Sequence, residues 1–318
     1  MYCGEKSLVV DDLIALVNSN GQMMPKQRLS DEHRDVKPQK SAEEQLNRLI
    51  GLNNVKENIY QWTAFFKVQS IAQQRGRGKK LNITTNMIFT GNPGTAKTTV
   101  ARIYARYLYE LNLSKEFKFI ECTRSDLVER WAGHTAKKTR EMVEKALGGG
   151  VLFIDEAYSL IEDTRGGYGD EVINTLVTEI ENHRGELTVI LAGYPKEMEM
   201  FLNSNPGLRS RFSCVLHFED YTINELCEIS HYVAADNGYL IGEGVDKVLA
   251  DIFSKEMAEH ENFGNGRFAR NVVERAMVYS AYKHCRLEGI DNCLIQNMPD
   301  EWLFTLQPDD FEAVKCDK

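Results

Sequence analysis

The stretch that most constrains this chain is residues 86–101, where a short apolar run leads into a glycine-bounded turn and then a helical pattern. Against the P-loop pattern G-x-x-x-x-G-K-[ST], Gly91 takes the first position, Lys97 the lysine and Thr98 the hydroxyl residue. The second glycine position holds Ala96. In such a loop, backbone N–H groups and the positive end of the following helix face phosphate oxygens. The stretch therefore predicts a phosphate-binding turn between a strand and a helix.

The turn and the first helical turn supply the candidate nucleotide contacts. Thr98 is the candidate Mg²⁺ ligand of this group, and Lys97 adds a positive charge. We expect Ala96 to have helical φ and ψ rather than a positive φ, because the helix begins there and alanine is a strong helix former. The alternative is a chance Gly/Pro turn. The candidate contacts are Asn92, Pro93, Gly94, Thr95, Ala96, Lys97, Thr98 and Thr99.

A second candidate motif is the run VLFIDE at residues 151–156, where four apolar residues end in Asp155 and Glu156. Such a run is typical of a strand buried on both faces of a parallel sheet. Its carboxyl end would lie beside the P-loop, where Asp155 suits a Mg²⁺ hydration shell and Glu156 suits polarising a water molecule. The alternative is an ordinary strand end with two exposed acids. The P-loop upstream favours nucleotide hydrolysis.

The hydrophobic pattern predicts an α/β fold: a P-loop core with a five-stranded parallel sheet and helices on both faces, followed by a helical domain. Strands are not expected after Tyr221. The predicted domains are a flexible leader with a short amphipathic segment (1–40), a nucleotide-binding α/β domain (41–220) and a helical domain (221–318). The predicted strands are 87–90, 117–122, 151–154, 188–191 and 215–218, and the helices outside the sheet region are 54–74, 222–237, 245–258 and 267–284.

Composition excludes some classes of function. The 318 residues include 38 basic and 47 acidic side chains, a net charge of −9 that makes nucleic acid an unlikely partner. The 7 cysteines form no C-x-x-C pair, which suits reduced thiols. No apolar run reaches the length of a membrane span, and the first twenty residues carry Asp11 and Asp12 where a signal peptide would be basic. We therefore expect a soluble cytoplasmic protein that does not bind membranes.

Several further motifs occur in a fixed order along the chain. They are LIGL at 49–52, FTGNPGTAKTTVA at 89–101, RSDLV at 124–128, GHTA at 133–136, GGGVLFIDEAYSL at 148–160, LAGY at 191–194 and NPGLRSRF at 205–212. With these motifs, the sequence resembles the AAA+ ATPases, in particular the group of CbbX, the red-type Rubisco activase, and the stage V sporulation protein K ATPases. The resemblance extends from about residue 44 to the C-terminus, and the leader is unmatched.

The resemblance implies ATP and Mg²⁺ as cofactors and a homo-oligomer, a hexameric ring, with ATP at subunit interfaces. Arg211, with Arg209 as the second candidate, matches the arginine finger that reaches a neighbouring subunit's γ-phosphate. Arg267 matches sensor 2 of the lid, with Arg270 as its alternate. Further nucleotide contacts are implied at three positions, namely Ile50, Gly51 and the sensor 1 position Tyr194.

Trp131, Ala132 and Gly133 match the aromatic–hydrophobic–glycine loop that lines the pore of such rings, and residues 163–169 match a second pore loop. An exposed indole can grip an extended polypeptide without reading its sequence. The leading hypothesis is thus an ATP-driven remodeller that partly threads a protein substrate. The alternatives are an assembly switch or clamp-loader-like module without threading, and a regulatory protein that binds ATP without turnover.

Overall fold

The computed structural model describes residues 40–77, 85–129, 134–161, 168–212, 214–287 and 298–316. Within these ranges the chain forms an α/β domain followed by a mainly helical domain. The strands of the main sheet are β1 (Met87–Gly91), β2 (Phe119–Cys122), β3 (Gly150–Ile154), β4 (Leu187–Gly193) and β5 (Cys214–Phe218).

The main sheet is parallel throughout, with strand order β2-β3-β4-β1-β5. In its register, Phe89 of β1 lies opposite Ala192 of β4 and Leu216 of β5. Every residue of β1, β3 and β4 is buried, as expected for parallel strands covered on both faces. This architecture confirms the predicted fold class, and the predicted strands are all present.

Helices cover both faces of the sheet, and successive strand residues alternate between two hydrophobic clusters. The helices of this domain are α1 (Ala42–Asn47), α2 (Asn53–Gln74), α3 (Lys97–Glu110), α4 (Arg124–Leu127), α5 (His134–Ala146), α6 (Tyr168–Asn182), α7 (Pro195–Ser204) and α8 (Pro206–Arg211). Phe153 of β3 packs in the cluster with α1, α2 and α3, whereas Leu152 and Ile154 pack in the cluster with α6 and α7.

The start of α1 is a capping box, as the S-x-x-E pattern of Ser41 and Glu44 predicts. Ser41 accepts a hydrogen bond from the Glu44 amide, and the Glu44 side chain accepts one from the Ser41 amide. The helix ends at Asn47, and Gly51 and Leu52, both with a φ of +58°, separate it from α2.

The helical domain contains α9 (Ile223–Asp236), β6 (Leu240–Ile241), α10 (Val245–Glu259), α11 (Asn265–Leu287), α12 (Asp300–Leu303), β7 (Thr305–Leu306) and α13 (Pro308–Cys316). The strands β6 and β7 pair in parallel, so the expectation that strands stop after Tyr221 is wrong. Two-residue strands carry no detectable periodicity, and this pairing forms because the C-terminal segment returns to bury Leu306 and Phe311 in the domain core.

Almost all of the predicted leader, residues 1–39, lies outside the described residues. In the part of the chain that the structure describes, no helix combines the length and apolar character that crossing a bilayer requires.

Candidate nucleotide-binding and hydrolysis site

The P-loop connects β1 to α3 at the carboxyl edge of the sheet. Thr95 is fully buried, and its hydroxyl donates to the Asn92 carbonyl oxygen at 2.8 Å. Gly94 has a φ of +73°, and a Cβ there would lie 2.1 Å from the carbonyl oxygen of Gly264 in the helical domain. Only glycine therefore permits both this backbone conformation and this contact. Pro93 is half-buried beside it.

Ala96 corrects one expectation from the sequence. Its φ of +67° and ψ of +21° are left-handed rather than helical. It precedes α3 as the N-cap, and its carbonyl already accepts from the Val100 amide at 3.0 Å. The loop needs a left-handed residue here to turn into the helix, which is why the P-loop pattern has glycine at this position. Alanine holds the same conformation at a cost of roughly 1–2 kcal/mol.

Lys97 opens α3, and its side chain folds back over the loop. The Nζ donates to the carbonyl oxygens of Gly91 and Asn92 at 2.7 Å each. Burial lowers the pKa of Lys97 to about 8; the charge of Asp155 opposes that shift, and the charge of Arg267 adds to it. Within the described ranges its hydrogen-bond partners are carbonyls rather than carboxylates, so this cation can still bind a phosphate.

The first turn of α3 adds the remaining P-loop contacts. Thr98 is half-buried and Thr99 exposed. The first amides of a helix have no partner within it, so they are available to an anion. The Thr98 hydroxyl and the Asp155 carboxylate are oxygen donors of the kind that Mg²⁺ prefers. These groups fit a magnesium nucleotide.

The carboxylates of Asp155 and Glu156 follow β3 directly. The Asp155 amide donates to the Cys122 carbonyl at 3.0 Å, and the Asp155 carboxylate accepts from the Glu156 amide at 3.0 Å. Both carboxylates act electrostatically on Lys97, so the fold brings them to the P-loop. Glu156 is exposed and has a φ of +47°, a strained conformation for a non-glycine residue.

Tyr194 follows β4, between the P-loop and the two carboxylates. Its ring packs on Tyr158, with centroids 5.6 Å apart. Burial raises the pKa of the Tyr194 hydroxyl, and the charge of Glu156 raises it further while that of Arg267 lowers it. The hydroxyl therefore stays protonated and able to donate a hydrogen bond near Glu156.

The helical domain contacts the P-loop directly. The Gly266 amide, in the first turn of α11, donates to the Gly94 carbonyl at 3.2 Å. The exposed Arg267 follows it, and its charge acts on both Lys97 and Tyr194. Arg270, one turn further along, is also exposed. The structure thus brings the sensor 2 candidate to the phosphate site.

Another contact between the domains lies at the α1–α2 turn. A Cβ at Gly51 would lie 2.1 Å from Oε1 of Glu225 in α9. Beside this turn is a cavity of about 230 Å³ whose lining includes Leu52, Val55, Tyr221 and Glu225. Leu52 lines this cavity, whereas the predicted Ile50 and Gly51 do not.

The candidate arginine fingers lie on α8, away from the P-loop. The Arg211 carbonyl accepts from Nδ2 of Asn86, the residue that precedes β1. Arg211 also donates to the Gly207 carbonyl at 3.1 Å, and Arg209 donates to the Asn203 side chain at 2.8 Å. Arg211 thus lies at the amino edge of β1, whereas the P-loop lies at its carboxyl edge.

The candidate pore residues are not placed by the structure. Trp131, Ala132 and Gly133 lie outside the described residues, in the connection between α4 and α5. Residues 163–167 of the second candidate pore loop lie outside them as well.

Three polar residues of this region were missed by the sequence analysis: Asp220, Asn265 and Glu181. Asp220 bonds to the P-loop, Asn265 to Asp220, and Glu181 to Arg211. The position of Asp220 just beyond β5, at the carboxyl edge of a parallel sheet, is a signal that could have identified it. Nothing in the sequence pattern marks Glu181.

Family models match both domains. The ATPase family associated with various cellular activities (AAA) matches residues 87–220, and the AAA lid domain matches residues 222–317. The chain therefore belongs to the AAA ATPase family, whose members are P-loop enzymes that bind and hydrolyse ATP. The helical domain is its lid.

Within this family the chain is related to the sporulation and Rubisco activase group. It is 40% identical to stage V sporulation protein K of Bacillus subtilis over 242 residues, 75% of this chain and 74% of that protein. It is 42% identical to protein CbbX of Cereibacter sphaeroides over 245 residues, 76% and 78% of the two chains. The chloroplastic ribulose bisphosphate carboxylase/oxygenase activase of Cyanidioschyzon merolae is 39% identical over 254 residues, 80% and 86% of the two chains.

A solved structure supports the fold. The FIGL-1 AAA domain in complex with ADP superposes with a TM-score of 0.59 at 19% identity, covering 85% of this chain and 83% of that one. At this level of identity the likeness bears on the fold alone.

Proposed function

We propose that this ATPase works as a homo-oligomeric ring, a hexamer, and uses ATP hydrolysis at its subunit interfaces to remodel or partly thread a protein substrate. The observation that carries the proposal is the distance between Arg211 and the P-loop of its own chain.

The separation follows from the strand between them. Asn86, which bonds to Arg211, and Gly91, which begins the P-loop, are the two ends of the β1 segment. At about 3.3 Å per residue, the strand holds them roughly 16 Å apart. An arginine side chain at the amino edge cannot span the sheet to the γ-phosphate position. If Arg211 is the finger, it must serve a second copy through a head-to-tail contact, and such contacts form a ring when the rotation between copies closes.

Within one site, the residues of this chain have separable roles. Lys97 and the first amides of α3 bind the phosphates, and Thr98 with Asp155 holds Mg²⁺, which when bound neutralises phosphate charge. Glu156 orients and polarises the attacking water, and Tyr194 donates a hydrogen bond beside it. Arg267 carries the state of the site to the lid, and Arg211 of a second copy stabilises transition-state charge.

The proposed partner is a protein of unassigned identity. The net charge of −9 disfavours nucleic acid. Two relatives are named for sporulation and for Rubisco activation, and neither name determines the substrate of this chain. Trp131 is the proposed gripping residue, because an indole binds extended chains through its apolar face.

The shared-site proposal is tested by mixing two inactive variants. Arg211→Ala should bind nucleotide but not hydrolyse it, whereas Lys97→Ala should not bind. A mixture should regain phosphate release, because some interfaces pair an intact P-loop with an intact arginine. The control is Arg209→Ala, which should hydrolyse ATP without being mixed with Lys97→Ala if Arg211 is the finger. A mixture that forms mixed oligomers, shown by native mass spectrometry, but stays inactive excludes Arg211 as a finger acting between chains.

Threading is tested separately with Trp131→Ala. A remodeller should keep ATP hydrolysis and lose its action on the substrate, whereas an assembly switch should keep both. The substrate can be identified with Glu156→Gln, which should hold ATP and the substrate together without turnover. Unchanged remodelling by Trp131→Ala would favour the switch.

A further inference from the structure

Asp220 lies at the junction of the two domains and bonds to both. Its carboxylate accepts from Nδ2 of Asn92 at 3.0 Å and 2.9 Å through its two oxygens. The same carboxylate accepts from Nδ2 of Asn265 at 2.8 Å. One side chain thus connects the P-loop to the first residue of α11.

On the P-loop side, Asn92 joins Asp220 to the lysine. The Asn92 carbonyl accepts hydrogen bonds from Lys97 and from Thr95, while its side chain is fixed by Asp220. A shift of Asp220 therefore moves the carbonyl that holds the Lys97 ammonium.

On the lid side, Asn265 is fully buried and has a φ of +47°. Its Oδ1 accepts from the Tyr221 amide at 3.0 Å. A buried asparagine in this conformation persists only where its hydrogen bonds hold it. Asn265 sets the start of α11, and Gly266 and Arg267 follow at once, so Asp220 fixes the helix end that carries Arg267.

We propose that Asp220 is the positioning residue that couples nucleotide binding at the P-loop to the placement of the lid, through Asn92 on one side and Asn265 on the other. This inference rests on the proposed function, in which the lid responds to nucleotide. Asp220 needs no contact with ATP for this role, because it acts through the hydrogen bonds of the two asparagines.

The test measures ADP affinity together with hydrogen exchange of the α11 amides in the full chain. Wild type should bind ADP and show slower exchange at residues 266–269 on binding. Asp220→Ala should weaken ADP binding about tenfold and lose this nucleotide-dependent protection. Asp220→Asn should retain most of the ADP affinity and of the protection. The side-chain amide of Asn92 can rotate so that its oxygen accepts from the introduced NH₂ group, while the side chain of Asn265 still donates to the remaining oxygen.

A double-mutant cycle separates coupling from general damage. Asn92→Ala should match Asp220→Ala, because each breaks the same hydrogen-bonded connection between the P-loop and the lid. The double variant should therefore be no worse than either single variant. Glu228→Ala, which removes an exposed acid of α9, is the control and should bind ADP as wild type does.

Two results would overturn the inference: Asp220→Ala that keeps both affinity and protection, or losses from Asp220→Ala and Asn92→Ala that multiply. If Asp220→Ala does not fold, as judged by its circular dichroism, Asn92→Ala and Asp220→Asn carry the same comparison. Failure of wild type itself to bind ADP would instead count against the proposed function.

Discussion

The guanidinium of Arg211 lies 3.3 Å from the carboxylate of Glu181, and that same carboxylate oxygen pairs with Arg184 at 2.7 Å. Within the described chain, the Nε of Arg211 is buried and has no hydrogen-bond acceptor. The candidate finger is therefore held in its own chain by a carboxylate that it shares with Arg184, and one of its guanidinium nitrogens lacks a partner among the described residues. If Arg211 serves a second copy, we expect it to leave Glu181.

Glu181→Gln should speed hydrolysis by up to about fivefold, because a half-exposed ion pair is worth up to about 1 kcal/mol and its loss lowers the cost of releasing Arg211. Steady-state phosphate release at saturating ATP measures this. Glu179→Gln, on the same helix but paired with Arg140 and His183, is the matched control and should leave the rate unchanged. A slower Glu181→Gln enzyme would show that Glu181 orients Arg211 for catalysis rather than retaining it.

Glu156 has the strained φ of +47°, and two substitutions separate this strain from its chemistry. Both Glu156→Ala and Glu156→Gly should abolish hydrolysis, because each removes the carboxylate. Glycine adopts a left-handed conformation without strain, so Glu156→Gly should be more stable than Glu156→Ala by about 0.5–1 kcal/mol. Urea unfolding of the two variants gives the difference directly. Equal stabilities would mean that the backbone relaxes once the carboxylate is gone.

Ala96→Gly tests the left-handed N-cap in the same way. Removing the methyl group should stabilise the fold by about 0.5–1 kcal/mol, because the greater backbone freedom of glycine in the unfolded chain offsets part of the roughly 1–2 kcal/mol of relieved strain. This gain is equivalent to a melting temperature about 2 °C higher. Nucleotide affinity should change by less than tenfold, because the loop already has the left-handed conformation with alanine. Calorimetric melting and ADP titration measure the two quantities. A hundredfold gain in affinity would mean that the methyl group obstructs the phosphates.

Nucleotide affinity should depend on pH through Lys97. Its pKa in the folded chain is about 8, below the ordinary 10.5, so the ammonium loses its proton as the pH rises through 8. Phosphate binds the protonated form, so ADP affinity should be flat from pH 6.5 to 7.5 and then fall above pH 8, by at most about tenfold per pH unit. Isothermal titration in several buffers should also show proton uptake on binding above pH 8.

Lys97→Arg is the control for this dependence. The guanidinium stays charged, so any remaining affinity should not fall between pH 7.5 and 9.5. If wild type and Lys97→Arg lose affinity in parallel, the titrating group is not Lys97.

The lowered pKa of Lys97 has the opposite effect on folding stability. Between about pH 8 and 10.5 the unfolded chain holds a proton that the folded chain has lost, so this group makes the fold more stable as the pH rises through that range.

Local patterns predicted some of the strands and helix ends, but not every residue of the site. The strand at residues 151–154 could be read from a continuous apolar run, and the start of α1 from the Ser41 and Glu44 capping pair. The left-handed φ of Ala96 was not predicted. Its helix propensity is a weak preference, and the geometry of the turn before α3 overrides it.

The sequence by itself determined the parallel α/β architecture, the P-loop and the two carboxylates that follow β3. These features depend on apolar periodicity and residue spacing, which can be read from neighbouring positions in the sequence. Only the tertiary structure placed Asp220 between Asn92 and Asn265, residues separated by more than a hundred positions, since hydrogen bonds between distant segments leave no periodic trace. It also put Arg211 and the P-loop at opposite ends of β1. The physical reason is the extended length of the strand, which sets how far apart its two ends lie.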